Sequence, residues 1–166
     1  MAKAIWEELS ATKTLLLQTI KAFKAGQFNS VPFPGSWTAG QVSEHVLISA
    51  SGGINVLQGE SQTTGRNPEE KIISLRDLFL DFNIKMTSPD FVQPSGVQRD
   101  KDEILHSLGD TFEKIITLSK KLDLTLTFTG FEMPQFGLLT RLEWLSFILY
   151  HTQRHIRQLQ NIQACF

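Results

Sequence analysis

The sequence predicts an all-α fold: a four-helix bundle with a long crossover between its second and third helices. Three observations carry this expectation. Four long stretches place apolar residues three and four positions apart, the repeat of a helix with one buried face. Two of those stretches open on a threonine followed three positions later by Gln or Glu, the capping-box pattern that satisfies the first free backbone N–H groups. The one alternation of period two, in "LDLTLTFTGF", is too short and isolated to build a sheet, so a covering loop is expected there.

Helix one is expected from about Ala2 to Ala25, with Ile5, Leu9, Leu16, Ile20 and Phe23 on its inner face and Gly26 ending it. After the break "VPFPGSW", Thr38 and Gln41 open helix two, which runs through Val42, Val46 and Val56 to about Gln58. Residues 59–99 form a long mixed connection. Within it, Asn67-Pro68-Glu69-Glu70 reads as a cap, a first-turn proline and acids at the positive end of the helix dipole. A short accessory helix from Ile72 to Phe82 follows from that pattern. Pro89, Pro94 and Gly96 break what comes next. Helix three spans about Lys101 to Lys121, with Ile104, Leu105, Leu108, Phe112, Ile115 and Ile116 inward. Thr140 and Glu143 open helix four, which continues to about Gln160. The links between helices one and two, and between three and four, read as short, which predicts antiparallel pairs. No repeat or low-complexity tract divides the chain, so one domain over residues 1–166 is expected.

Composition narrows the function classes. The 16 basic and 17 acidic residues are interspersed, net charge is −1 and the isoelectric point is near 6.4. Nucleic-acid binding needs a basic stripe, so no nucleic-acid partner is expected. The start "MAKAIWEELSATK" has no uninterrupted apolar core, and no window approaches the ~20 apolar residues of a membrane span. A soluble, cytoplasmic protein without membrane contact is the expectation. The single cysteine, Cys165, excludes an internal disulfide and thiolate-rich zinc sites, and reads as an incidental tail thiol.

The stretch with most chemistry is "EWLSFILYHTQRHIRQLQ", Glu143 to Gln160. His151 and His155, four apart on a helix, stand one turn apart on the face that carries Trp144, Ile148 and Leu159. That face is the one expected to be buried. Two buried imidazoles without partners cost on the order of a few kcal/mol, so the fold must supply hydrogen bonds or a metal. His45 falls on the inward face of helix two with Val42, Ser49, Gly52 and Val56. Gly52 and Gly53 each cost roughly 1 kcal/mol in a helix interior, which points to open space or to close approach of another helix. His106, beside the stripe of helix three, is expected to be half exposed and without a role.

"GSWTAGQVSEHV" resembles the W-S/T-x-x-x-x-x-x-H entry to the second helix of the DinB/YfiT-like superfamily. "FGLLTRLEWLSFILYHTQRHIRQLQ" is similar to its last helix, where G-x-L-T-x-x-E-W leads into H-x-x-x-H-x-x-Q. The resemblance covers both ends of the chain in order, while residues 59–99 add little. It implies the same bundle with a long crossover, and it places a metal-binding triad on His45, His151 and His155. All three positions are histidine here.

Three neutral imidazoles suit a borderline divalent ion such as Zn²⁺ or Ni²⁺ and leave a coordination position open. Such an ion lowers the pKa of water or holds a thiolate or carbonyl as a Lewis acid. The resemblance accordingly implies a metal-dependent enzyme, a hydrolase or a thiol S-transferase, acting on a small molecule such as a low-molecular-weight thiol. The other class kept open is a small-ligand-binding or stress-associated bundle with no functional metal. Gln41, one turn before His45, and Gln158 are candidates to support the ligands or contact a substrate. Glu44 and Glu143 are ambiguous as general bases, because Glu44 turns about 100° from His45 and Glu143 is already explained by the cap. Arg154 reads as part of a solvated helix face. A homodimer is expected, as is common for bundles.

Overall fold

The computed structural model describes residues 4–166. Its elements in order are α1 (Ile5–Lys21), α2 (Ala39–Gln58), β1 (Ser61–Gln62), α3 (Ile72–Leu80), α4 (Lys101–Lys121), β2 (Thr127–Phe128) and α5 (Arg141–Gln163), with a 3-10 turn at Asp90–Val92. Four long helices make the bundle, and α3 is the accessory helix of the crossover. The expected first residues of helix one, Ala2 and Lys3, lie outside the described part.

Three of the long helices, α2, α4 and α5, start where the sequence supplies a side-chain cap. Thr38 Oγ1 accepts from Gln41 N at 3.1 Å while Gln41 Oε1 accepts from Thr38 N at 2.9 Å, and Thr140 and Glu143 form the same box at α5. Asp100 caps α4 by accepting from the N–H groups of Asp102 and Glu103. Asn67 caps only a preceding turn, through Glu69 N, so α3 itself begins later, after Lys71. Inside, Leu9, Leu16 and Ile20 of α1 meet Val42, Val46 and Leu57 of α2, Leu108 and Phe112 of α4, and Leu145, Ile148 and Leu159 of α5 in one core. A smaller second core, Leu75, Met133, Leu139 and Trp144, lies between α3, the loop after β2 and the start of α5.

Two expectations are corrected. The helices joined by the first and third links are not packing partners: α1 and α2 each pack on α4 and α5, so sequence neighbours stand diagonally across the bundle. Residues 22–38 and 122–140 are not tight turns; they carry the chain across the bundle end rather than directly back along the same side. The second correction concerns "LDLTLTFTGF". Thr127 and Phe128 pair antiparallel with Gln62 and Ser61, and Phe128 N and Arg141 N donate to Leu139 O and Leu126 O. The alternating stretch thus finds its partner in the crossover, far away in sequence, and ties the end of α2 to the start of α5. Among the described residues no helix is long and apolar enough to cross a membrane.

Where α2 meets α5, Gly53 has a reason. A Cβ there would run into Ile148 Cδ1, so the missing side chain lets the helix of His45 approach the helix of His151. Gly52 has open space around it and takes no part in that contact.

Candidate metal centre

α2 supplies His45 and α5 supplies His151 and His155, all of them buried. The three rings converge. His45 Nε2 lies 3.0 Å from His151 Nε2, and His155 Nε2 lies 3.1 Å from the same atom. One donor atom from each residue falls within 4.8 Å of the others.

The outer nitrogens explain which atoms face inward. His45 Nδ1 is 2.7 Å from the backbone carbonyl of Val92, an acceptor only, so this nitrogen carries the hydrogen and Nε2 presents a lone pair. His155 Nδ1 donates to Gln158 Oε1 at 2.8 Å, which leaves the Nε2 of that ring unprotonated as well. His151 Nε2 faces both lone pairs and has room for one in-plane hydrogen at most. At most one of its two contacts can therefore be a linear hydrogen bond, and the other leaves a lone pair facing a nitrogen with no hydrogen to offer it. A cation removes that conflict, and nitrogen ligands held ~2.0–2.1 Å from one ion stand about 3 Å from each other, the spacing seen here. The donor set fits a divalent metal.

Burial keeps the imidazoles neutral. It pushes His45 below the usual histidine range, opposed by the bond to Val92. It takes His151 well below that range, with the nearby charges of His155, His45 and Arg154 acting the same way. It brings His155 down to about 3, helped by His45 and opposed by Gln158. Neutral imidazole is the form that ligates a metal. Aromatic rings wall the site: Trp37 lies 5.3 Å from His45, and Phe147 and Phe79 lie 5.3 and 6.1 Å from His151 between ring centroids.

Of the supporting residues, Gln158 touches the triad and Gln41 does not, because its side-chain oxygen is held by the cap of α2. Glu44 binds Arg99 at 3.0 Å and the backbone N–H and hydroxyl of Ser95, tying α2 to the crossover. Glu143, fully buried, takes two 2.6 Å bonds from Arg66 and one each from the backbone of Lys71 and Thr140. Both carboxylates are committed to structure. Arg154 corrects its expectation: its guanidinium donates to the carbonyls of Phe79, Asp81 and Ile84, holding the chain after α3 beside the histidines. His106 is exposed and pairs with Asp110. Sequence reasoning missed Val92, whose contribution is a backbone atom, and Phe79, which sits in the crossover. Phe147 was legible, since it precedes His151 by one helical turn.

Fold and site together define a class: an α-helical bundle with a crossover and a buried three-histidine centre. Residues 8–159 match the family model of the DinB superfamily, and the chain belongs to that superfamily. Among solved structures it is similar to TT2238, a four-helix bundle protein, with 23% identity and TM-score 0.61 over 95% of this chain and 96% of that one. It is also similar to YfiT from Bacillus subtilis, described as a probable metal-dependent hydrolase with an unusual four-helix bundle topology. There the identity is 17% and the TM-score 0.61, over 96% of this chain and 84% of YfiT. No curated protein matches the sequence.

Proposed function

We propose that His45, His151 and His155 hold a divalent metal ion, zinc or nickel, and that the protein is a metal-dependent enzyme acting on a small molecule. The observation that carries this reading is the convergence of three Nε2 atoms, two of them fixed as lone-pair donors by the bonds of their outer nitrogens. Such an ion, held by three protein ligands with a position open, supplies Lewis acidity to a water, thiol or carbonyl. The chain's own residues do the rest. Val92 and Gln158 orient two of the rings, while Trp37, Phe79 and Phe147 keep solvent from them.

Transfer of a low-molecular-weight thiol to an electrophile is the favoured reaction. A hydrolase wants a carboxylate or histidine base beside the water, yet Glu44 and Glu143 are both held in ion pairs pointing to structure. The chain's thiol, Cys165, is exposed and ten residues beyond His155, about 15 Å along a helix. The sulfur nucleophile would come with the substrate. Hydrolysis is the second reading, favoured by the description of YfiT, which shares the fold, as a probable metal-dependent hydrolase.

Elemental analysis of protein purified without an affinity tag tests the metal, beside a folded His45→Ala/His151→Ala/His155→Ala variant. About one zinc or nickel per chain, lost in the variant, is the expected result. A screen of small thiols with electrophiles, against esters and amides, then separates transfer from hydrolysis. Failure to take up metal on reconstitution overturns the enzyme reading and leaves a ligand-binding or stress-associated bundle.

A further inference from the structure

The three histidines are almost sealed: His45 is 2% exposed, and His151 and His155 are 8% exposed. The second half of the crossover runs past them. Its near end is pinned to α5, where the guanidinium of Arg154, the residue before His155, binds the carbonyls of Phe79, Asp81 and Ile84. Its far end is pinned just before α4, where Asn29 accepts from Arg99 N at 3.1 Å and donates to Arg99 O at 2.9 Å. Between the pins the chain passes from the helix of His151 and His155 to the helix of His45. There its hydrogen bonds to α2 fall on two adjacent residues: Val92 O meets His45 Nδ1 at 2.7 Å, and Ser95 donates its N–H and hydroxyl to Glu44 at 3.2 and 3.1 Å. None of residues 81–100 is buried. A segment that buries none of its own side chains is held by a few polar contacts, and such segments open locally while the core stays intact. Pro89 and Pro94 restrict its backbone, which limits the freedom gained on opening.

We propose that residues 85–98 are a flap over the histidine centre, that it opens between its two pins to admit metal and substrate, and that the Val92 carbonyl is its latch. Opening takes Val92 O away from His45 Nδ1 and uncovers the rings between α2 and α5. Closing restores the bond that keeps the hydrogen on Nδ1 and the lone pair on Nε2. A ligated Nε2 makes the Nδ1–H a stronger donor, so an ion in the site tightens the latch. By reciprocity a shut flap tightens the hold on the ion. Phe91, in the 3-10 turn beside the latch, is 69% exposed and rests on Phe131 with centroids 6.1 Å apart, a contact that separates without disturbing the core. The inference deepens the metal reading by saying how the site is reached, and its first test needs no metal.

The probe is diethyl pyrocarbonate, which acylates neutral imidazole nitrogens that it can reach, applied to the metal-free full chain and read histidine by histidine by mass spectrometry. Exposed His106 is the internal standard. The variant is Pro89→Gly/Pro94→Gly, which removes no side-chain hydrogen bond and gives the open flap more backbone freedom. His45, His151 and His155 should react far more slowly than His106 in the unaltered chain and about tenfold faster in the variant, with His106 unchanged. Amide exchange should quicken at residues 85–98 and stay slow in the cores of α2 and α5, which marks the opening as local. Glu44→Gln, a second variant that weakens the hold on Ser95 and Arg99, should act in the same direction. In a second arm, zinc uptake and zinc release to a chelator should both quicken about tenfold in the proline variant, leaving the affinity within about threefold, because one opening step precedes both. Triad acylation unmoved in both variants, or release quickened with uptake unchanged, overturns the proposal. Acylation that follows the flap in a protein that takes up no zinc sinks the metal reading and keeps the flap. Zinc uptake with acylation indifferent to the flap sinks the flap alone.

Discussion

At the start of α5, Glu143 is surrounded by partners from its own chain: two bonds from Arg66, one from Lys71 N and one from Thr140 N. Two turns further along the same face, His151 meets only other acceptor nitrogens across its Nε2, at 3.0 and 3.1 Å. Both clusters are buried and polar, and both hold α5 against the rest of the bundle. The first is closed, since every lone pair of the carboxylate has a donor. The second is incomplete without something cationic. The difference teaches which buried polar group belongs to the fold and which to the chemistry: a satisfied network stabilises, whereas convergent unsatisfied lone pairs wait for a ligand.

The comparison breaks most visibly at Glu143. Burial alone would raise its carboxyl pKa, but the Arg66 guanidinium and the two backbone N–H groups bring it below the ordinary range. Glu143→Ala leaves Arg66 without its counter-charge, besides removing the reciprocal half of the α5 cap. A loss of about 2–3 kcal/mol in urea unfolding is expected, from the lost cap and the backbone N–H groups left without an acceptor, while the partly exposed Arg66 regains water. The folded fraction should still bind metal at the histidines. A loss below about 1 kcal/mol would mean that the closed network contributes nothing beyond its cap.

The histidine end responds to pH instead. In metal-free protein the folded-state pKa values are depressed, His155 to about 3 and the others below their usual range. The unfolded chain regains the ordinary value near ~6.5, so below that pH it binds more protons than the folded state. Stability is therefore complete above ~6.5, falls as the pH is lowered, and levels off only near the folded value. A histidine kept neutral throughout costs about 2 kcal/mol between pH 7 and pH 5. Comparing the unaltered protein with His155→Phe at both pH values isolates the contribution of that ring. Bound metal should add further acid sensitivity, because its ligands must stay deprotonated. A variant whose acid sensitivity equals that of the unaltered protein would show that His155 is not held neutral.

Much of this contrast is legible in the sequence. The capping boxes at Thr38 and Thr140 locate the starts of α2 and α5, and the spacing of His151 and His155 puts both rings on a buried face. Local periodicity is strong in long helices, and caps are chemical signals of a few adjacent residues. The partners are not legible. Arg66 reaches Glu143 over 77 positions, Val92 reaches His45 over 47, and β1 pairs with β2 across the whole of α3 and α4. Contacts of that separation depend on how the crossover lies over the bundle, and a polar, proline-broken connection carries no periodic signal. The expected helix pairing fails for the same reason, since links that cross the bundle end resemble links that turn back.

Arg154 gives the smallest and most local test, because it sits between the two kinds of region. On sequence it belongs to the outside of α5, yet its guanidinium bonds three carbonyls, those of Phe79, Asp81 and Ile84. That clamp positions Phe79, whose ring covers both Phe147 and His151. The carbonyls are only part-buried, so water can replace the lost donors and the net cost of Arg154→Met should be about 1 kcal/mol. The methionine keeps the apolar stem packed. What should change is local: amide exchange at residues 79–84 should quicken while the core of α5 stays protected. If exchange quickens there and the metal dissociates faster as well, the crossover is part of the site's wall. If exchange quickens with metal binding unaltered, the three histidines are held by α2, α5 and Val92 alone, and the clamp serves only the fold.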